Sequence, residues 1–257
     1  MRIVPLATGD SRFPTLFCLP GAMCSPLVYA QSAAASGLNA KALAWLEDEG
    51  AFDLYSIANR IVDAIAGEGD VILVGHSLGT PLAILTALAG AQREGVAVKG
   101  LVLSNSGANT KGHGDADAIV RRIKAEWGQP MWDAFVGRCF HTTPDKPLLD
   151  EIREYPARLQ SHSVAEAIQS QMEIDLLPLL GELPDVPVAV VHGQHDVARS
   201  LAHAQELAGG IQGASLHVLA TGHTSCAEDA LAFAEIMRGV GEEVTRRTRI
   251  ASGRQAV

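Results

Sequence analysis

The stretch Gly75-His76-Ser77-Leu78-Gly79 constrains this chain more than any other, because of what stands on either side of it. Before it runs Asp70-Val71-Ile72-Leu73-Val74, an apolar, β-branched run of strand length. After it, residues 80–89 are rich in Ala and Leu and apolar at helical spacing. A serine at a strand-to-helix turn, with glycines at i−2 and i+2, is the signature of a nucleophile elbow. So tight a turn forces the central residue into a strained conformation, and a side chain at either glycine would collide with the neighbouring strand or helix. The five-residue pattern alone arises by chance in many chains; its seat between strand and helix makes it informative.

The same rhythm runs through much of the chain. Thr15–Leu19 reads as a buried strand ended by Pro20-Gly21, residues 27–35 as a helix and 41–46 as another strand. Residues 54–66 are helical, with Leu54, Ile57, Ala58, Ile61, Val62 and Ile65 on one face. Strands follow at 100–103, 186–191 and Ser215–Leu219, and a helix over about 226–238 closes the pattern. Strand alternating with helix means an α/β fold, a mostly parallel sheet flanked by helices on both faces. With 257 residues, 47% of them hydrophobic and 19% charged, the chain can bury such a core as one large domain or two small ones.

One segment breaks the rhythm. Between Asn105 and Pro184 no strand is legible, only helical patterns punctuated by Gly128-Gln129-Pro130, Pro144, Pro147 and Pro156. A structureless loop of that length does not suit a compact domain, so a helical insertion is expected. It leaves and returns at the C-terminal ends of strands, where open α/β sheets bind ligands; this favours a cap over the elbow against extra helices on the sheet's flank. The expected division is a core of residues 1–105 and 185–240, a helical cap of 106–184 and a flexible tail of 241–257. In that tail Arg246-Arg247-Thr248-Arg249 reads as solvated. Trp127, Trp132 and Phe135 of the cap are pocket candidates, with Met23 and Cys24 from the loop after the first strand. Aromatics at helical spacing equally form a cap's own core.

A serine hydroxyl is a poor nucleophile at neutral pH. It needs a base within hydrogen-bond reach, and the base needs a group that fixes its tautomer and stabilises its cation. Two strand ends supply them. Asp196 ends His192-Gly193-Gln194-His195-Asp196 after one strand, and His223 ends Ala220-Thr221-Gly222-His223 after the next. They stand 27 residues apart, room for one helix and one strand, so both should fall at the sheet edge that carries Ser77. Asp175 and Asp185 precede their strand and would sit at its wrong end, and the loop Ser104-Asn105-Ser106-Gly107 holds no carboxylate.

The other histidines have quieter readings. His76 is held by the turn and points away from Ser77, while His192 and His195 suit structural roles in the acid loop. His113, His141 and His162 lie in the cap, and His203 and His217 in a helix and a strand. No pair has a metal-ligand spacing that outweighs the Ser77-His223-Asp196 set, so no metal and no cofactor is expected. A developing oxyanion needs backbone N–H donors. Leu78, at a helix N-terminus, is one; Ala22, with Met23 as the alternative, is the second, just past the sharp turn that Gly21 permits.

Bulk properties exclude other classes. A net charge of −9 argues against a nucleic-acid surface. No apolar run is long enough to span a bilayer, and Met1-Arg2-Ile3-Val4-Pro5 lacks the apolar stretch of a secretory signal. Cys18, Cys24, Cys139 and Cys226 show no CxxC spacing, so reduced thiols and a cytoplasmic location are expected. The expected partner is a small-molecule substrate, with neither nucleic acid nor membrane; monomer and homodimer both stay open.

With Leu19-Pro20-Gly21 as oxyanion loop, Gly75-His76-Ser77-Leu78-Gly79 as elbow, His192-Gly193-Gln194-His195-Asp196 as acid loop and Gly222-His223 as base loop, the chain resembles the α/β-hydrolase superfamily over nearly its whole length. The resemblance implies the α/β-hydrolase fold with a helical cap insertion, and a serine-based acyl-transfer or hydrolytic site in the chain order Ser, Asp, His. Modest size, a short cap and a single sheet are similar to the esterase, enol-lactonase and C–C-hydrolase branch. Many members have His-Gly at the oxyanion loop, where this chain has Pro20-Gly21. The usual edge hairpin is expected to shorten to one strand near Arg2–Ala7. Ser77 counts against the dehalogenases and epoxide hydrolases of this fold, which need aspartate there. Thr224 after the base, not lysine, disfavours hydroxynitrile lyase chemistry. The expected reaction is hydrolysis of a carboxylic ester, lactone or thioester of a small-to-medium hydrophobic substrate through an acyl-enzyme. Hydrolysis of a C–C bond in a β-diketone-type substrate is the runner-up, and a non-catalytic ligand-binding homologue the reading outside enzymes.

Overall fold

Asp70-Val71-Ile72-Leu73-Val74 has no polar face, and a strand of that kind is stable only when both of its faces are covered. In the computed structural model, which describes residues 1–112 and 116–255, this run becomes the middle strand of a seven-stranded sheet. The strands are β1 (Arg2–Ala7), β2 (Thr15–Leu19), β3 (Ala40–Ala44), β4 (Asp70–His76), β5 (Ala97–Ser104), β6 (Val188–Gly193) and β7 (Ser215–Leu219). Their order is β1-β3-β2-β4-β5-β6-β7, and only β1 pairs antiparallel. Pro5 stands in this edge strand, where a missing ladder donor is tolerated.

Side chains alternate across the sheet with the two-residue period of a strand. Phe17, Leu19, Leu73, Leu101 and Leu103 enter one core, with helices α2 (Leu54–Ile65) and α3 (Gly79–Gly90) above them. Leu16, Cys18, Ile72, Val74 and Val102 enter the other, against α1 (Ala30–Ser36) and the C-terminal helix. Asp53 caps α2 by accepting from Ser56 N–H at 3.0 Å, and the six apolar residues of its predicted face are all buried. Helix α3 is apolar all round because it is enclosed by sheet, α2 and loops.

Between β5 and β6 the described residues form α4 (Ala116–Ala125), α5 (Gln129–Val136), α6 (Lys146–Glu154) and α7 (Ser161–Glu173), and no strand. The segment leaves the sheet at the C-terminal end of β5 but does not return there. Because β6 runs parallel to β5, the chain crosses back through the turn Leu177–Glu182 to enter β6 at its N-terminal end.

Four further expectations are corrected. Residues 27–35 split into a 3-10 turn, Pro26–Tyr29, followed by α1; β3 stops at Ala44, and Trp45–Glu47 is a 3-10 turn. The stretch 241–257 is not a flexible tail as far as it is described. After α8 (Leu201–Gly210) and α9 (Ser225–Glu228), helix α10 runs Ala230–Gln255; residues 256 and 257 lie outside the described residues. Val240 and Val244, one turn apart, press onto the bare backbone of Gly100, where a Cβ would lie 2.8 Å from Val240 Cγ1. The basic run is not simply solvated. Glu243 accepts from Arg246 and Arg247 one turn on, and Arg247 also reaches Asp185 at 2.9 Å. Among the described residues no helix is long and apolar enough to cross a membrane.

Candidate active site

The turn from β4 to α3 places Ser77 at φ +52°, in the left-handed region that a side-chain-bearing residue occupies at a cost of about 1–3 kcal/mol. Gly75 and Gly79 leave room for that turn. A Cβ on Gly75 would collide with the Gly79 carbonyl, and one on Gly79 with the Leu19 carbonyl. Ser77 N–H donates to the Ser104 carbonyl at 2.9 Å, and Thr80 Oγ1 donates to the carbonyls of Gly75 and Ser104 at 3.1 Å each. The strained residue is therefore gripped from both flanks.

Asp196 and His223 leave the ends of β6 and β7 and converge on it. His223 Nε2 lies 2.9 Å from Ser77 Oγ, and His223 Nδ1 lies 2.8 Å from Asp196 Oδ2. The two loops touch through glycine: a Cβ on Gly193 would collide with the Gly222 carbonyl. Asp196 Oδ1 accepts from the N–H groups of Ala198 and Arg199 at 2.8 and 2.9 Å. Burial pushes its carboxyl up, but His223, the Arg199 N–H and Asn105 outweigh burial and hold it at about 2. An ionised Asp196 accepts a hydrogen bond from Nδ1–H, which leaves the Nε2 lone pair facing the Ser77 hydroxyl.

Three supporting groups were not legible in the sequence. Asn105, at φ +51° past β5, donates from Nδ2 to Asp196 Oδ2 and to the Gly222 carbonyl, 3.1 Å each. His76 points away from Ser77, yet it is not idle: its Nε2 lies 2.9 Å from the His223 carbonyl, to which it donates. Burial, then the neighbouring His223, pushes His76 down to about 3, so it is neutral. Glu228 accepts from the N–H groups of Gly222, His141 and Thr142 at 3.0, 2.9 and 2.8 Å, tying the base loop to the helical insertion.

Gly21 approaches so closely that a Cβ there would stand 3.0 Å from Ser77 Cβ. Ala22 and Leu78 then line the same cavity as Ser77 and His223, and neither backbone N–H donates to a protein acceptor among the described residues. Met23 sits at φ +57° with its side chain in the core.

The cavity is about 480 Å³, walled by Met131, Ala134 and Phe135 of α5, Ile168 and Met172 of α7 and Ile119 of α4. Of the five pocket candidates only Phe135 lines it. Met23 and Cys24 are buried in the two cores beneath. Trp127 and Trp132 pack edge-to-face at 5.4 Å and rest on the core. The four cysteines are free and buried, and burial lifts the Cys24 thiol to about 12. His141 stacks on His195 at 4.0 Å, while His162 meets Phe52. His192 is buried, and His217 lies beside Ser215. His203 caps α8 with Ser200, and His113 lies outside the described residues. Among the described residues no group of three His, Cys, Asp or Glu side chains is placed to hold a metal ion.

The structure is similar to the enol-lactonase from Burkholderia xenovorans LB400, with a TM-score of 0.74 at 20% identity over 93% of this chain and 94% of that one. It is also similar to the esterase EaEST from Exiguobacterium antarcticum, with a TM-score of 0.78 at 17% identity over 93% and 94% of the two chains. MenH from S. aureus gives 0.77 at 17% identity over 95% and 98%. At such identities the likeness concerns the fold. No curated protein matches the sequence. The family model for the alpha/beta hydrolase family matches residues 15–236, which takes in Ser77, Asp196 and His223. The chain belongs to the alpha/beta hydrolase family and is a hydrolase of that fold.

Proposed function

We propose that this hydrolase cleaves a carboxylic ester, lactone or thioester of a small-to-medium hydrophobic substrate through a serine acyl-enzyme. The observation that carries the reading is the unbroken hydrogen-bond chain from Ser77 through His223 to Asp196, at 2.9 and 2.8 Å. As Ser77 Oγ attacks the carbonyl carbon, its proton passes to His223 Nε2, and ionised Asp196 stabilises the imidazolium. The oxyanion is met by the N–H groups of Ala22 and Leu78, the latter strengthened by the N-terminus of α3. His223 then returns its proton to the departing alkoxide or thiolate. A water deprotonated by the same base releases the acid and restores Ser77. An enol-lactonase and an esterase among the structural neighbours support this class.

The test is a panel of p-nitrophenyl esters, lactones, thioesters and β-diketones against the wild type and Ser77→Ala. Turnover of at least one acyl substrate is expected, falling on the order of 10⁴-fold or more in Ser77→Ala. Turnover confined to the diketones would move the reading to C–C hydrolysis, and turnover indifferent to Ser77→Ala would contradict it.

A further inference from the structure

The cavity over Ser77 is lined by apolar side chains and by basic ones. Its described lining includes Arg122, Arg138 and Arg199 and no carboxylate, in a chain whose net charge is −9. Arg122 is partnered by Glu126, just past the end of its own helix. Arg199 is not partnered in that way. It is only 9% exposed, and its guanidinium makes a single hydrogen bond among the described residues, a long one of 3.5 Å from Nη1 to the Asn109 carbonyl. A guanidinium carries five N–H donors; the Asp196 carboxylate is near enough to act on its charge but accepts from none of these donors among the described residues. Burial lowers its pKa and the Asp196 carboxylate opposes the shift, leaving it at about 10, so it is a cation at neutral pH. Gln171 on α7, 8% exposed, also lines the cavity, and its amide makes no hydrogen bond among the described residues.

We propose that the substrate is an anion, bearing a carboxylate remote from its scissile carbonyl that Arg199 receives, with the amide of Gln171 as a further polar contact. One largely buried, planar fork with the Asp196 carboxylate already acting on its charge fits a single planar monoanion better than a phosphate dianion. The word substrate rests on the serine-hydrolase reading; the anion site does not, and the two are tested apart.

The site is tested in folded Ser77→Ala protein by calorimetric titration with hexanoate and with hexanamide, a neutral ligand of the same shape. Hexanoate is expected to bind at least about tenfold more tightly, with a preference that weakens as salt is added. Adding Arg199→Gln should bring the ratio of the two affinities close to one, and Arg199→Lys should restore part of it. A purely structural role for Arg199 would weaken both ligands alike and leave the ratio unchanged, which would overturn the proposal. So would equal affinities before the substitution, or no hexanoate binding at all. Separately, failure of a neutral fluorophosphonate to label Ser77 in the wild type, with the hexanoate preference intact, would overturn the hydrolase reading and leave the anion site standing.

Discussion

Asn105 and Asp196 meet where two adjacent parallel strands end: Asn105 Nδ2 lies 3.1 Å from Asp196 Oδ2 and 3.1 Å from the Gly222 carbonyl. One amide group thus joins the acid loop to the base loop, and its own oxygen is held by Ser104 Oγ at 2.6 Å. Substituting Asn105→Ala strips a buried carboxylate and a buried carbonyl of a donor, each worth about 1–3 kcal/mol. A fall of about 10- to 100-fold in kcat/KM is expected, with a lower midpoint in urea. Activity within twofold of wild type would show that the loops hold themselves.

Asp196→Asn should be more severe. An amide in that position can donate to Nδ1 and stabilise the wrong tautomer of His223, for a loss on the order of 10⁴-fold in kcat with the fold retained. The variant should also lose an acid-dependent part of stability. The Asp196 carboxyl is held at about 2 in the folded chain, below its ordinary value, so its contribution is full above the unfolded pKa and is lost as pH falls through the folded one. Urea titrations between pH 5 and pH 2 should therefore be flatter for the variant by about 2 kcal/mol.

His76 adds a second pH dependence, with the sign worked from its depressed pKa. The folded chain keeps this imidazole neutral down to about pH 3, whereas an unfolded histidine protonates near 6.5. Between those values the unfolded state binds the extra proton, so stability falls as pH falls through that window, by on the order of 4 kcal/mol. His76→Gln keeps a donor for the His223 carbonyl and removes the titration. Its stability should vary less from pH 6.5 to 4, and an unchanged slope would contradict the burial argument.

Two glycine substitutions should part in sign. Gly193→Ala drives a methyl group into the Gly222 carbonyl, with only backbone to give way, and should destabilise by several kcal/mol while displacing His223. Gly209→Ala, near the end of α8 with nothing within 4 Å, should stabilise by about 0.5 kcal/mol. Thermal melts of the pair check this directly.

What was legible in the sequence was what is local. The elbow announces itself because strand, glycine spacing and helix lie within twenty residues, and Asp196 and His223 because each follows an apolar run that must be a strand. Asn105 is not legible because its importance lies in partners 91 and 117 residues away, and its loop holds no carboxylate to mark it. The full length of helix α10 is not legible because its continuation looks polar; its apolar contacts beyond Arg238 are chiefly Val240 and Val244, which need Gly100 of a distant strand to receive them. For the tryptophans the sequence leaves pocket wall and cap core equal, because composition does not reveal that Trp127 finds Trp132.

The most direct measurement of Ser77 as the nucleophile is its reaction with a fluorophosphonate, followed by intact mass and peptide mapping. One adduct per chain, located on Ser77, absent in Ser77→Ala and strongly slowed in His223→Ala, is the expected result. A folded protein that takes up no adduct, or one labelled equally after Ser77→Ala, would contradict it.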